Sequence, residues 1–220
     1  AMFSELKKKY KITTTTTKIH LLIEAMRRAY FIRYKELGDP DFNKINTNKL
    51  LDKNFIKQLV SSVDIKKASS SKKMSESMTS YFESDETAHI AVLDASGLAV
   101  SSTHSLNSWL GSAVIVPGTG ILLNNHMDDF TSKKNKKNLY SLVDGKKNII
   151  EAKKRMLSSM SPSIIFRKDN SPILLIGAAG GSKIITSCLH VILSILDDNL
   201  ELEKAVKKSR YHNQWLPDEV

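Results

Sequence analysis

In "ESDETAHIAVLDASG", residues 83–97, a charged, Ser-rich run ends at Glu86, and an apolar strand pattern opens at Thr87 with a hydroxyl. Cutting the Glu86–Thr87 bond would make Thr87 a new amino terminus that carries a nucleophile and a base on one residue. A free α-amine has a reference pKa of about 7.7–8.0, so near neutral pH it can take the proton of its own hydroxyl, directly or through a water. Read alone, Thr87 is more simply an ordinary β-branched strand residue. The second candidate is "GAAGG", residues 177–181. Gly180 and Gly181 let backbone N–H donors approach a substrate and stabilise developing negative charge with no side chain intervening. Alone, the string is a strand-to-helix turn, and Ser182 and Lys183 stand in the wrong order for a phosphate-binding loop. The pairs Asp128-Asp129 and Ser158-Ser159 are, by themselves, caps or solvated turns.

Such residues need elements to position them. "KIHLLIEAMRRAYFIRYKELG" predicts an amphipathic helix with Ile19, Leu22, Ala25, Met26 and Ala29 on one face and Gly38 as its stop. A second helix is expected over residues 48–63, with Leu50, Leu51, Phe55, Ile56, Leu59 and Val60 as its stripe. Residues 64–86 are rich in Ser and Lys and read as an exposed, mobile loop. From Thr87, "TAHIAVLD" predicts a buried strand, "DASG" a turn with Gly97 at positive φ, and "LAVSST" the returning strand of a hairpin. "SAVIV" and "ILLNN" around "PGTG" predict another pair, and "SPSIIFRKDNSPILLIG" two strands around "KDNS". A helix follows that is apolar nearly all round and hence buried, then an amphipathic helix over residues 200–209. His89 reads as a structural residue at the strand start, His190 as part of the buried helix, and Cys188 as an inert buried thiol. Helices, then antiparallel hairpins, then helices describe an α+β layered fold.

Composition narrows the class. A chain of 220 residues with 41% hydrophobic content is one domain or one large fragment with a real core. The net charge of +10 comes mainly from lysines in loops with Asn and Ser. Nucleic-acid readers interleave Arg and aromatics on one element, so this pattern reads as solvated surface and no nucleic-acid partner is expected. A cationic surface binder, resting on the Lys-rich stretch of residues 133–155, is the weakest alternative. A single cysteine rules out a disulfide within the chain. The basic start has no apolar segment behind it, and no run approaches the length of a membrane span.

Taken together, "TAHIAVLD", "SLN" at 105–107, "GILLNNHMDDF" at 120–130, "SSMSPSII" at 158–165 and "GAAGG" resemble, in order and spacing, the γ-glutamyltransferase (glutathione hydrolase) family. The resemblance extends over residues 18–217, beginning in what looks like the end of that family's large-subunit region. It implies an N-terminal-nucleophile hydrolase fold, an αββα sandwich of two antiparallel sheets between helical layers, present here in part. It further implies self-cleavage at Glu86–Thr87, so that residues 1–86 belong to the large chain and 87–220 to the small one. By the same resemblance Thr87 is the nucleophile, Ser105 its hydroxyl partner, and Gly180 and Gly181 the oxyanion donors. Asn107, His126 and Asp129 fall at the substrate ammonium, and Ser158 and Ser159 at its carboxylate. The implied partners are glutathione or another γ-glutamyl compound, an acceptor amino acid, dipeptide or water, and the rest of the large-subunit region. No cofactor and no metal is expected. The implied location is extracellular, or membrane-associated and facing outside.

Three positions depart from the family pattern. Ser105 stands where Thr is usual, which keeps the hydroxyl. His126 stands where Glu or Gln is usual, and a protonated imidazole there would repel the substrate ammonium. Most of the large-subunit region, with the Arg the family uses for the α-carboxylate, lies outside this sequence. Two functions follow: a γ-glutamyl hydrolase or transferase, favoured by the seven matching site residues, or a catalytically inactive light-chain-like homologue, favoured by His126 and the missing Arg.

Overall fold

A computed structural model describes residues 1–71, 87–131, 138–140, 142 and 145–220. Most of the expected Ser/Lys-rich loop, including Glu86, lies outside these described residues. The chain forms two compact units, one of residues 1–80, 130–157 and 212–220, the other of residues 81–129 and 158–211.

The first unit is helical: α1 (Met2–Lys9), α2 (Thr15–Glu36), α3 (Thr47–Leu50) and α4 (Lys53–Ser61). Helix α2 starts where Thr14 accepts a hydrogen bond from the Thr17 N–H, which satisfies one of the orphan donors of a helix start. It ends before Gly38, where a Cβ would lie 2.5 Å from the Lys147 carbonyl oxygen, so only glycine admits that approach. The single helix expected over residues 48–63 is instead two. The Asp52 carboxylate accepts from the Asn54 and Phe55 N–H groups, both at 2.9 Å, and this cap restarts the helix and leaves Leu51 in solvent.

Leu6, Leu21, Leu22, Met26, Tyr30, Ile56 and Val60 are buried in this unit, and Phe31 and Tyr34 pack on Trp215 with ring centroids 5.2 and 4.8 Å away. Charge is buried here too. Glu24 accepts from the Ser69 N–H at 3.0 Å, from the Ser69 hydroxyl at 2.6 Å and from Arg28. Arg27 donates to Ser71 and Asp218, and Asp218 accepts from the Ser71 N–H at 2.8 Å. The start of the stretch expected to be a mobile loop is therefore anchored through Ser69 and Ser71. The reason is that Ser offers a backbone donor and a short hydroxyl to carboxylates that are distant in sequence.

The second unit contains two antiparallel hairpins. Strands β1 (Thr87–Leu93) and β2 (Ala99–Ser105) pair with Thr87 opposite Ser105, and β3 (Ser163–Phe166) pairs with β4 (Pro172–Ile176). The β1–β2 turn is built by Asp94, which accepts from Ser96 and from the Leu98 N–H at 2.9 Å, and by Gly97 at φ +89°. Helices α5 (Lys183–Leu196) and α6 (Leu202–Lys207) follow. Leu174 and Ile176 of β4 pack with Ile184, Cys188 and Val191 of α5 and Ala205 of α6, and this aliphatic cluster is the core. Burial raises the pKa of the Cys188 thiol, in keeping with an inert packing residue.

Two expectations change here. The segments "SAVIV" and "ILLNN" do pair antiparallel, through the Ile115–Leu122 bridge flanked by bonds from the Val116 N–H to the Ile121 carbonyl and from the Leu123 N–H to the Val114 carbonyl, both at 2.9 Å, but the pairing is too short to make two full strands. Strand β1 is present but is not buried: Ile90, Val92 and Leu93 are each more than half exposed. The pleat explains Ile90 and Val92, which alternate to the side opposite the face shared by Thr87, His89, Ser101, Thr103 and Ser105, while Leu93 is exposed at the turn end of the strand. The Ser101 hydroxyl donates to the Ile176 carbonyl at 3.2 Å, joining that hydroxyl-rich face to β4.

Candidate active site

Thr87 begins β1, and its hydroxyl donates to the Ser105 Oγ at 3.3 Å across the first register pair of the hairpin. The same Ser105 Oγ accepts from the Asn107 N–H at 2.9 Å. Asn107 is buried with φ +78°, a left-handed conformation that Asn tolerates better than most residues, and its amide donates to the Asn125 carbonyl at 3.4 Å. These bonds fold the chain after β2 back toward the 3₁₀ turn His126–Asp129.

That turn supplies the ionisable part of the site. His126 Nδ1 lies 2.8 Å from Asp129 Oδ2, and His126 Nε2 lies 3.1 Å from the Ser105 carbonyl oxygen. The i, i+3 spacing brings the two side chains together on a tight turn. The hydrogen bond to Asp129 raises the His126 pKa above its ordinary value, burial opposes it, and the Ser105 carbonyl reinforces it. A continuous line of contacts thus runs from the Thr87 hydroxyl through Ser105 and His126 to Asp129.

His89, expected to be structural, lies on the same face as Thr87 and Thr103, with Nδ1 3.0 Å from the Thr103 hydroxyl. Its ring fills the space beside Gly177: a Cβ at that glycine would sit 2.0 Å from Nδ1. The glycine-rich stretch therefore starts against β1, directly after β4. Gly180 and Gly181 both have positive φ, at +110° and +50°. Their carbonyls accept from the Lys183 and Ile184 N–H groups at 2.8 and 3.3 Å. Ser158 and Ser159 sit in local turns, where the Ser158 hydroxyl accepts from the Met160 N–H and the Ser159 carbonyl accepts from the Ser161 hydroxyl. His190, as expected, is a buried residue of α5, bonded through Nε2 to the Tyr211 carbonyl at 2.8 Å.

Two residues escaped the sequence reading. Gly177 is required by its approach to His89, which no local pattern announces. Asn125 contributes its carbonyl to Asn107, and its side-chain oxygen is buried with no hydrogen-bond donor among the described residues. The adjacent Asn124-Asn125 pair was the available signal.

Two small antiparallel sheets with helices against them, and a hydroxyl at the first residue of a strand, define the class: the αββα sandwich of N-terminal-nucleophile hydrolases. Known relatives agree. The chain matches the gamma-glutamyltranspeptidase family model over residues 2–220. It is 42% identical over 200 residues to a glutathione hydrolase proenzyme of Pseudomonas sp. strain A14, covering 91% of this chain and 34% of that protein. The Escherichia coli K12 glutathione hydrolase proenzyme is 40% identical over 202 residues, covering 92% and 35%. Among solved structures, a Helicobacter pylori gamma-glutamyltranspeptidase mutant superposes with a TM-score of 0.58 at 50% identity, over 60% of this chain and 70% of that one. The chain belongs to the gamma-glutamyltranspeptidase family, and it spans about a third of the length of the curated relatives it matches. Among the described residues no helix is long and apolar enough to cross a membrane.

Proposed function

We propose that this chain is the catalytic portion of a γ-glutamyl transferase or hydrolase whose nucleophile is the Thr87 hydroxyl. The observation that carries the reading is the 3.3 Å bond from the Thr87 hydroxyl to Ser105, which ties a strand-start nucleophile to the turn bearing Asp129. Maturation begins when Thr87 Oγ1 attacks the Glu86 carbonyl and the peptide N–C bond breaks, giving an ester. Water then hydrolyses that ester and frees the Thr87 α-amine. The amine next takes the hydroxyl proton as Oγ1 attacks the γ-carbonyl of the donor, and returns it to the departing amine. Water or an acceptor amine resolves the glutamyl ester in the same way.

Gly180 and Gly181 N–H groups face the developing oxyanion in this scheme, at the start of α5 where the helix dipole also favours negative charge. Asp129, with Asn107 and His126, receives the α-ammonium, and the Ser158 and Ser159 hydroxyls receive the α-carboxylate. The substrates are glutathione or another γ-glutamyl compound, and the site of action is outside the cell, as the family reading implies.

The boundary proposed at residues 86 and 87 divides the sequence but not the first compact unit. Residues 130–157 and 212–220 pack with residues 1–80 there, which supports two chains that remain joined after cleavage. Arg27 to Asp218, Arg155 to Asp39 at 2.8 Å and Lys147 to Glu36 at 3.0 Å would become contacts between chains.

The test is Thr87→Ala in the full-length protein, followed by denaturing mass analysis and γ-glutamyl amide turnover. The expected result is one uncut chain and turnover reduced by about 10³-fold or more. Cleavage before residue 87 that persists in the variant would remove Thr87 from its role. A wild-type protein that is never cut and never turns over a γ-glutamyl amide would favour the inactive homologue.

A further inference from the structure

Both ring nitrogens of His126 are engaged, and their partners dictate what each must carry. A carbonyl oxygen can only accept, so Nε2, 3.1 Å from the Ser105 carbonyl, bears a hydrogen. A carboxylate also only accepts, so Nδ1, 2.8 Å from Asp129 Oδ2, bears one too. A ring with hydrogens on both nitrogens is an imidazolium, so below its raised pKa the largely buried Asp129 carboxylate is paired with a cation before any donor arrives.

An incoming γ-glutamyl group brings a second cation to that carboxylate, its α-ammonium. Two like charges a few ångströms apart in a half-buried site repel strongly. Removing the Nδ1 hydrogen resolves the conflict. The Ser105 carbonyl holds the neutral ring in its Nε2–H tautomer, so Nδ1 turns from donor into acceptor on the side of Asp129. One ammonium can then donate to Asp129 Oδ2 and to His126 Nδ1 together.

We propose that His126 is the specificity-determining residue of the donor subsite, giving up its Nδ1 proton in exchange for the α-ammonium of the γ-glutamyl donor on Asp129, so that donor affinity increases with pH. This deepens the γ-glutamyl reading above and rests on it. The exchange balances: one proton leaves to solvent as one ammonium enters, and the charge of the subsite is unchanged. Asp129 and Asp128 belong to the same turn as the ring, and Asn124 and Asn125 before it are neutral. Strand β2 contributes the Ser105 carbonyl and, one residue earlier, His104, whose Nε2 is 2.8 Å from the Ser102 hydroxyl. The bond to Asp129 raises the ring's pKa, which carries the exchange above the ordinary 6.5.

Below the imidazolium pKa only the neutral fraction of the site accepts the ammonium, so the KM of a γ-glutamyl anilide should rise by up to about tenfold per pH unit as pH falls. Above it KM should level off. Saturating donor displaces the proton, so kcat should not follow this curve. The experiment measures KM and kcat from pH 5 to 9 for the full-length mature protein and for His126→Gln, with the γ-glutamyl anilide and with its des-amino glutaryl analogue. The expected result is a sloping KM for the γ-glutamyl donor in the wild type. It should be flat in His126→Gln, and the slope should be absent with the des-amino donor. Turnover with the same KM slope in both proteins, or the same slope with both donors, would overturn the proton exchange and leave the function standing. No turnover of γ-glutamyl amides at any pH would overturn the function itself and the exchange with it. Should His126→Gln fail to fold, ¹⁵N-histidine spectra of the wild type decide: an Nδ1 hydrogen that stays on His126 when a γ-glutamyl analogue saturates the site contradicts the proposal.

Discussion

The first unit buries Glu24, Arg27, Arg28 and Asp39 in its interior, whereas the second is packed around the aliphatic Leu174, Ile176, Ile184, Cys188 and Val191 and keeps its close His126–Asp129 pair on a four-residue turn. The difference separates charge that holds a structure from charge that can do work. The Glu24 carboxylate receives a backbone N–H, a hydroxyl and a guanidinium, while Arg28 also donates to the Leu59 carbonyl and to Ser62. Burial pushes the Glu24 pKa up, but the bonds from Ser69 and Arg28 outweigh it and hold the carboxyl below its ordinary 4.5. A group so saturated has no reason to exchange its partners. His126, by contrast, faces Asp129 through a proton that can leave. Buried ion pairs are weak evidence for net stabilisation, yet breaking one leaves its partner uncompensated in the interior.

Glu24→Ala leaves Arg28 buried without its carboxylate and releases Ser69. The expected loss is about 3–5 kcal/mol of stability in the first unit. Urea unfolding followed by the fluorescence of Trp215, 2% exposed and in that unit, reads it. A loss below about 1 kcal/mol would mean that the buried charges are tolerated rather than structural.

Acid should separate the two units next. The folded pKa values of Glu24, Asp39 and Asp218 are lowered, Asp39 by the Arg155 side chain and backbone N–H, while at Asp218 burial pushes upward and the bonds from Ser71 and Arg27 together outweigh it. Carboxyls lowered in the folded state contribute stability that is fully present above their unfolded pKa, ordinarily 4.5 for Glu and 3.8 for Asp, and lost as pH falls through the folded values. Trp215 fluorescence should therefore change below about pH 4, while amide protection in α5, packed on an aliphatic cluster, persists to lower pH. Loss of α5 protection before the Trp215 change would reverse the assignment.

The smallest effects sharpen a contrast inside the second unit. Ile184→Val removes one methylene from a residue 2% exposed and should cost about 0.5–1.5 kcal/mol. Ile90→Thr, on a strand position 53% exposed, should stay within about 0.5 kcal/mol of the wild type. Thermal unfolding of the two variants side by side checks this, and a larger cost at Ile90 than at Ile184 would show that the outer face of β1 is covered in solution.

Several features could be read directly because they are local. The "DASG" turn with Gly97, the β1–β2 hairpin and the α5 run after the glycines each depend on a few adjacent residues. The helix over residues 48–63 failed for a local reason also: the apolar stripe hid Asp52, whose capping geometry outweighs the periodicity around it. The apolar composition of β1 misled for a different one. Alternation says that two faces exist and not which is covered, and here the covered face is the one with the hydroxyls.

The chain order of residues alone determined the family motifs, the strand that begins with Thr87, and the i, i+3 spacing that lets His126 reach Asp129. Packing of distant segments is what clamps Ser69 and Ser71 on Glu24 and Asp218, makes Gly177 leave room for His89, and brings the Ser105 carbonyl to Nε2 of His126. Caps, turns and short spacings are settled by bonds between neighbours. The partner of a histidine's second ring nitrogen and the anchoring of a serine are settled by groups tens of residues away, whose positions depend on how the elements pack.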